Sequence, residues 1–339
     1  MDHSFHGIPS NQRAAGKLSK IIDVHSHAIL NIGEQVPLAN QARWSVEGAL
    51  SLMDANEIAV TILSAPGAAN YAEDKEAVEI SRRINEALAE IVAKHPTRFG
   101  AVATLPGKTM DGSLSEMAYA LDTLKMDGVS TLTSVDDIYL GDSRFDPWFE
   151  EMNRRKVTLF MHPTVASASL AVDLKIDISI LEFIFDTTRM LTNMVFSGAK
   201  RRFPDVRMIS THAGGTVPYL VSRIQTLELA FGPGPNRTPL TAEEIKEGFA
   251  SFYYDLTAGT SRAQLCAIRE LVPASQLLVG FDSPYMPEWS FGPAIRDLEQ
   301  WDGFTQDDRE QIAHKNACLL YPTVAARAGY VMDPVGSAL

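Results

Sequence analysis

Two histidines at the end of an apolar run are the residues of this sequence best suited to chemistry. They lie in Asp23-Val24-His25-Ser26-His27, which follows the isoleucine pair at 21–22. Side chains alternate along a β-strand, so His25 and His27 would project from one face, about 6–7 Å apart. Two neutral imidazoles placed in this way can bind one metal ion. The motif is short, so its meaning depends on what other segments bring to it.

Three further apolar runs end in side chains that could join such a site. They are followed by His162, His212 and Asp282. Any one of these histidines taken singly is more typical of a core residue with satisfied hydrogen bonds. Four imidazoles and a carboxylate, all at the ends of apolar runs, instead favour one metal site with nitrogen and oxygen ligands.

The runs belong to a regular alternation of β-rich and helical segments that begins near Ser19. The predicted strands are Lys20–Val24, Ala59–Leu63, Phe99–Thr104, Gly128–Leu132, Thr158–Met161, Arg207–Thr211, Phe252–Leu256 and Leu277–Phe281. They are almost continuously apolar, which is typical of a parallel sheet covered on both faces. Eight such strands separated by helices predict an α/β fold, a single (β/α)8 TIM-type barrel with loop insertions. An open doubly wound sheet would need a glycine-rich turn after its first strand, where the two histidines stand instead.

A barrel explains why distant residues would meet. The carboxyl ends of its strands surround one pocket, so His25, His27, His162, His212 and Asp282 would face each other there. The fourth predicted strand and its exit, residues 128–134, contain no lysine that could be carbamylated to bridge two ions. The sequence therefore predicts one metal ion rather than two.

Composition limits the possible functions. The chain has 339 residues, 45% of them hydrophobic, and we expect a tail at 1–19, the barrel at 20–325 and a second tail at 326–339. A net charge of -12 without a basic cluster argues against a nucleic-acid partner. The sequence contains no run of 18 consecutive apolar residues, so we expect no membrane-spanning helix. Cys266 and Cys318 have no paired spacing, which indicates a reduced, cytoplasmic protein.

Taken together, the motifs resemble the amidohydrolase superfamily. The matching segments occur in order between about Lys20 and Pro322: Asp-x-His-x-His at 23–27, His162-Pro163, His212-Ala213-Gly214-Gly215 and Gly280-Phe281-Asp282-Ser283-Pro284. The resemblance is to the branch that contains aminocarboxymuconate semialdehyde decarboxylase and the hydroxybenzoate decarboxylases. Phe185-Asp186-Thr187-Thr188-Arg189 and Ser64-Ala65-Pro66-Gly67 look most like the 6-methylsalicylate decarboxylase type.

The resemblance implies a function and roles for residues. One divalent metal ion, zinc in preference to manganese, would be bound by His25, His27, His162 and Asp282. No organic cofactor would be needed. Asp282 would also deliver a proton, and His212 would lie just behind the ligands or act as the acid–base group. The reaction would be non-oxidative decarboxylation of a small ortho-hydroxy aromatic acid, which releases carbon dioxide and a phenol. The substrate-binding arginine of the semialdehyde decarboxylase would fall near Leu50-Ser51, where this sequence has no arginine. A monocarboxylic aromatic substrate is therefore favoured over a dicarboxylate.

Other functions remain open at this stage. The same ligands suit a hydrolase of a lactone or amide, in which the ion lowers the pKa of water and His212 is the base. A non-catalytic scaffold is disfavoured because all five residues are present. Trp44, Arg189 and Tyr285 are candidate substrate-binding residues, although loop packing and a helix-surface ion pair are equally ordinary roles for the first two.

An apolar insertion follows the fifth predicted strand, within residues 164–200. We expect a homodimer with this insertion near its interface, as the resemblance also implies. The side chains predicted to form its apolar surface are Ile178, Leu181, Phe185, Met190 and Met194.

Overall fold

Eight parallel strands form a nearly closed barrel in the computed structural model, which describes residues 16–30, 44–65, 74–171, 174–234 and 237–331. In order around the barrel, the strands are β1 (Ile21–His27), β2 (Ile58–Ser64), β3 (Phe99–Thr104), β4 (Gly128–Leu132), β7 (Thr158–His162), β8 (Arg207–Ser210), β9 (Tyr253–Asp255) and β10 (Leu277–Leu278). Bridges from Asp23 to Val279 and from Ser26 to Ser283 join the first strand to the segment that continues from the last. The predicted (β/α)8 barrel is confirmed.

Helices follow the strands and cover the outside of the barrel. They are α1 (Val46–Ala55), α2 (Asp74–Lys94), α3 (Met110–Ala118), α4 (Asp146–Arg155), α5 (Glu182–Phe196), α6 (Ala199–Arg202), α7 (Val217–Phe231), α8 (Ala242–Ala250), α9 (Arg262–Leu271), α10 (Phe291–Gln300), α11 (Gln306–Glu310), α12 (Asn316–Leu320) and α13 (Pro322–Arg327). In the described part of the chain, no helix is long and apolar enough to cross a membrane. The limits of the barrel domain, residues 20–325, stay a prediction. Most residues of the two tails predicted at 1–19 and 326–339 lie outside the described part of the chain.

A small hairpin that the sequence analysis did not predict follows β4. Its strands, β5 (Ser134–Val135) and β6 (Ile138–Tyr139), are antiparallel and only two residues long. Asp136 and Asp137 connect them with positive φ values of 48° and 60°, as a two-residue hairpin turn requires. Strands this short carry no readable hydrophobic period, which is why the sequence pattern missed them.

The core has two layers. One cluster fills the barrel interior, where Val60, Val102, Phe160, Ile209 and Leu278 are all buried. Residues of α12 and α13 belong to the same cluster and close the barrel at the amino-terminal ends of the strands. The larger cluster lies between the strands and the surrounding helices. With its lower end filled in this way, the barrel leaves its carboxyl-terminal end for the polar side chains.

The predicted apolar surface of the insertion is wrong in part. Met190 and Met194 are completely buried and belong to the outer core, because they lie four residues apart on the face of α5 that meets the barrel. The exposed apolar side chains of this region come before that face: Leu170, Leu174, Ile176, Ile180 and Phe185. The other long predicted loop, residues 28–45, lies mostly outside the described residues.

One buried carboxylate ties the lower end of the barrel together. The side chain of Asp127, just before β4, is 1% exposed. It accepts hydrogen bonds from the backbone N–H of Ala101 on β3 and from the Thr323 hydroxyl on α13, at 3.1 and 2.6 Å. Arg327 of α13 adds a two-pronged ion pair at 2.9 and 3.0 Å. Because several donors depend on one carboxylate, its loss would leave all of them poorly paired.

We therefore expect Asp127→Asn to lower the free energy of unfolding by about 2–3 kcal/mol. Urea denaturation measures this change. Asp54→Asn is the matched control, because Asp54 pairs with Arg98 on the surface at 67% exposure and exposed pairs contribute about 1 kcal/mol or less. Equal losses in the two variants would contradict the importance assigned to Asp127.

Candidate metal centre

A bulge in β1 helps to aim the two histidines. Between Asp23 and Ser26 the strand has one residue more than the stretch of β2 that pairs with it, Thr61 to Leu63. Such a bulge re-aims side chains. His25 and His27 are 0% and 2% exposed, and their ring centroids lie 5.1 Å apart with the planes nearly perpendicular.

Two other strand ends complete the cluster. One ligand atom each from His25, His27, His162 and Asp282 can be chosen so that all four lie within 4.8 Å of one another. The Asp282 Oδ1 atom is 2.9 Å from His27 Nε2 and 3.4 Å from His25 Nε2. The ring of His162 lies 4.8 Å from that of His27. All four residues are buried.

The polar atoms that face the centre of this cluster are unpaired. The Nε2 atoms of His25, His27 and His162 and Oδ1 of Asp282 are buried without a hydrogen-bond partner among the described residues. A buried polar atom left unpaired costs about 1–3 kcal/mol. Three imidazole nitrogens and one carboxylate oxygen are a common donor set for zinc and suit other divalent ions. The residues therefore fit one divalent cation.

The remaining ring nitrogens of the three histidines are held from behind. His25 Nδ1 lies 3.0 Å from Asp255 Oδ2, and His27 Nδ1 lies 2.9 Å from Ser64 Oγ. His162 Nδ1 donates to the carbonyl of Pro163 at 2.8 Å. A proton held on Nδ1 leaves Nε2 of a neutral ring unprotonated, which is the form that binds a metal.

Asp255 is the main residue of the site that the sequence analysis missed. It is completely buried at the end of β9. One carboxylate oxygen faces His25, and the other accepts hydrogen bonds from the backbone N–H groups of His212 and Thr257, each at 3.0 Å. The available signal was an acid near the end of a predicted strand, a position that costs free energy unless the charge is paired.

His212 lies beside the cluster rather than in it. Its Nε2 is 3.5 Å from Asp282 Oδ2, the oxygen that does not face the other histidines. A tight turn after β8 places the ring, and His212 and Ala213 both have φ of 53° in that turn. Asp282 thus has one oxygen toward His25 and His27 and the other toward His212.

The buried charges depend strongly on each other. Burial opposes ionisation of Asp282, but the charge on His25 and the close approach of the other histidine rings hold its pKa well below the usual range. Burial also disfavours a protonated His25, yet Asp255 and Asp282 raise the pKa of that ring to about 10. The pKa of His162 is lowered well below its ordinary value by burial and by the neighbouring His27 and His25. A proton on His25 thus supplies positive charge that a bound cation would replace.

The three candidate substrate-binding residues lie in different surroundings. The ring of Tyr285 is 5.3 Å from that of His27, and the residue is 46% exposed. Trp44 is half-buried and packs against the outer core beside the start of α1. Arg189 lies on the outer side of α5, 3.9 Å from Glu182. Among the described contacts, none joins Trp44 or Arg189 to the four clustered residues.

We expect the purified protein to hold close to one divalent ion per chain, and His162→Ala to lose most of it. The reason is that this change removes one of four converging donors. His95→Ala is the control, since His95 follows α2 and is not one of the four clustered residues. Elemental analysis that finds two ions per chain, or full metal retention in His162→Ala, would refute a mononuclear site at this position.

Comparison with known proteins agrees with the fold. Residues 22–323 match the family model described as amidohydrolase. A decarboxylase of Aspergillus niger is 32% identical over 324 residues, covering 89% of this chain and 87% of its own. The 6-methylsalicylic acid decarboxylase of Penicillium expansum is 28% identical, covering 82% and 86%.

A solved structure supports the architecture independently. It is a dihydroxybenzoic acid decarboxylase of Polaromonas sp. JS666, containing manganese and the inhibitor 2-nitroresorcinol. Its TM-score is 0.78 at 22% identity, with 90% of this chain and 97% of that chain covered. The family match extends over nearly all the described residues, from the first strand to the helices that close the barrel. The chain therefore belongs to the amidohydrolase family.

Proposed function

We propose that this protein is a metal-dependent decarboxylase of a small ortho-hydroxy aromatic acid such as 6-methylsalicylate. The observation that carries the proposal is the convergence of three unpaired imidazole nitrogens and one carboxylate oxygen, with His212 on the other oxygen of the same carboxylate. The curated relatives support the reaction class, because they are named as decarboxylases, two of them for 6-methylsalicylic acid. The relative with bound manganese supports a divalent ion. Zinc as that ion, and a cytoplasmic location, are further parts of the proposal.

The proposal assigns a role to each side chain of the site. A bound divalent ion would act as a Lewis acid that stabilises negative charge on the phenolate and carboxylate oxygens of the substrate. Asp282 would take the phenolic proton and pass it to the ring carbon that bears the carboxylate. The carbon–carbon bond then breaks, and its electrons return to the ring as carbon dioxide leaves. His212, whose Nε2 lies 3.5 Å from Asp282 Oδ2, would return a proton to the phenolate product.

A hydrolase of a lactone or amide is the alternative, because it would use the same donors. The two reactions differ in their products. A decarboxylase releases carbon dioxide without adding water to the substrate, whereas a hydrolase adds water and releases none.

We expect Asp282→Asn to abolish turnover even where metal remains bound, because an amide cannot accept and deliver the proton. We expect His212→Ala to keep its metal but to lose about 10²–10⁴-fold in rate, the usual contribution of an acid–base group. Metal content and turnover should be measured on the same preparations. If His212→Ala loses metal in step with activity, His212 is a ligand and these roles are wrong.

We also propose that the protein is a homodimer. Along α7, Val217 is the one fully buried residue, while Tyr219, Leu229 and Phe231 are 84%, 65% and 80% exposed. Among the described residues, every large exposed hydrophobic side chain except Val331 lies in a segment that follows β7, β8 or β10. Exposed apolar side chains concentrated in a few segments are typical of an interface.

Light scattering is expected to give twice the chain mass of 37.1 kDa at micromolar concentration. Tyr219→Asp should shift the protein toward the monomer, because it would bury a charge in the interface. Val331→Asp serves as the control, since Val331 is 63% exposed but lies outside those segments. A monomeric wild-type protein would contradict the proposal.

A further inference from the structure

The proposed function leaves one sequence motif without a role, Phe185-Asp186-Thr187-Thr188-Arg189 on α5. Three of its side chains, Asp186, Thr187 and Thr188, lie on the buried face of the helix. None of them is among the four clustered ligands. The hydrogen bonds of Asp186 and Thr188 nevertheless lead directly to the loops that carry two histidines of the site.

Asp186 holds the exit of β7. Its carboxylate is completely buried and accepts hydrogen bonds from the hydroxyls of Thr133 and Tyr139 and from the backbone N–H of Thr164, at 3.1 Å. Thr164 is two residues beyond His162. The backbone N–H of Thr133 donates to the carbonyl of His162 itself at 2.9 Å. One carboxylate therefore holds the backbone that follows the His162 ring, directly at Thr164 and through Thr133 at the His162 carbonyl.

Thr188 holds the exit of β8 in a similar way. Its hydroxyl oxygen accepts from the backbone N–H of Thr216 at 2.8 Å, at the point where α7 begins. Thr216 is four residues beyond His212. Between them, a Cβ on Gly215 would lie 2.3 Å from the carbonyl oxygen of Ile184 and 2.7 Å from the Thr188 hydroxyl. The His212 turn is thus pressed directly against α5.

Helix α5 also contacts one ring of the site. The edge of the His162 imidazole faces Phe183, with the ring centroids 5.7 Å apart and the planes at 84°. The first two turns of α5 therefore provide a ring contact, a carboxylate and a hydroxyl to the two loops, whereas its later buried residues, Met190 and Met194, pack in the core.

We propose that Asp186 and Thr188 are positioning residues, with Asp186 setting the orientation of His162 and Thr188 setting that of His212. The catalytic consequence rests on the proposed function, but the positioning itself belongs to the metal-free chain. A merely structural role predicts that both substitutions loosen the whole protein. A positioning role predicts a separate effect on each histidine.

Nuclear magnetic resonance of the metal-free, ¹⁵N-histidine-labelled protein distinguishes these roles. The ring signals would be assigned with His162→Gln and His212→Gln. We expect Asp186→Asn to shift the His162 signals and Thr188→Val to shift the His212 signals. Thr187→Val is the matched control, because its buried hydroxyl has no hydrogen-bond partner among the described residues; it should shift neither set.

A second measurement concerns the metal. Competition with a chelator should show that Asp186→Asn weakens Mn²⁺ binding by about 10–100-fold, the usual effect of losing a group that orients a ligand. Thr188→Val should leave Mn²⁺ affinity unchanged, because His212 is outside the ligand cluster. If Asp186→Asn does not fold, Tyr139→Phe decides, since it removes one 2.7 Å hydrogen bond to the same carboxylate and should still shift the His162 signals.

The inference is overturned if Asp186→Asn, or Tyr139→Phe in its place, leaves the His162 signals unchanged. It is also overturned if the two positioning variants shift both histidines alike. A wild-type protein that binds no metal and decarboxylates nothing would refute the proposed function instead, and the spectra of the metal-free protein would still test the positioning.

Discussion

The structure depends on one unfavourable feature, a set of polar atoms that face each other in a buried space. Three imidazole nitrogens and a carboxylate oxygen converge there without hydrogen-bond partners among the described residues. Removing such groups from water costs free energy that no neighbouring side chain returns. The divalent cation that we propose would offset this cost by binding all four at once. Without it, a proton on His25, between Asp255 and Asp282, provides only part of the missing charge.

The same residues close the barrel. The backbone N–H of Asp282 donates to the carbonyl of His25, and that of His27 donates to the carbonyl of Ser283, both at 2.6 Å. These bonds cross the seam between the first and last strands. Asp23 strengthens the seam, because one carboxylate oxygen accepts from the backbone N–H groups of His25 and Phe281. The hydrogen bonds that close the barrel therefore also hold the backbone of the residues that form the site.

Much of this could be predicted from the sequence, because the signals were local. A buried parallel strand requires a continuous apolar run, so Phe99–Thr104 and Gly128–Leu132 were placed with their observed bounds. His25, His27, His162 and Asp282 stand at the ends of such runs, and barrel geometry then brings them together. Asp282 was expected from a strand that proved to be only two residues long, Leu277–Leu278, which did not change where the residue lies.

What could not be predicted depends on contacts between distant segments. Asp255 is an ordinary acid in the sequence, and its role appears only when the barrel brings the end of β9 close to the end of β1 and its oxygens meet His25 and His212. Met190 and Met194 have the composition of an interface, and only the orientation of α5 shows that they face the core. The hydrogen bonds that Asp186 accepts from Thr133 and Thr164 follow no sequence period, since they join residues 53 and 22 positions apart.

The central claim is that the converging donors serve the loss of carbon dioxide from an ortho-hydroxy aromatic acid. The most direct measurement uses 6-methylsalicylate with ¹³C in its carboxyl group and the metal-loaded protein in D₂O. We expect labelled carbon dioxide and a phenol with one deuterium on the ring carbon that bore the carboxylate. Recovery of the unchanged acid, from this substrate and from related ortho-hydroxybenzoates, together with hydrolysis of a lactone or amide, would contradict it.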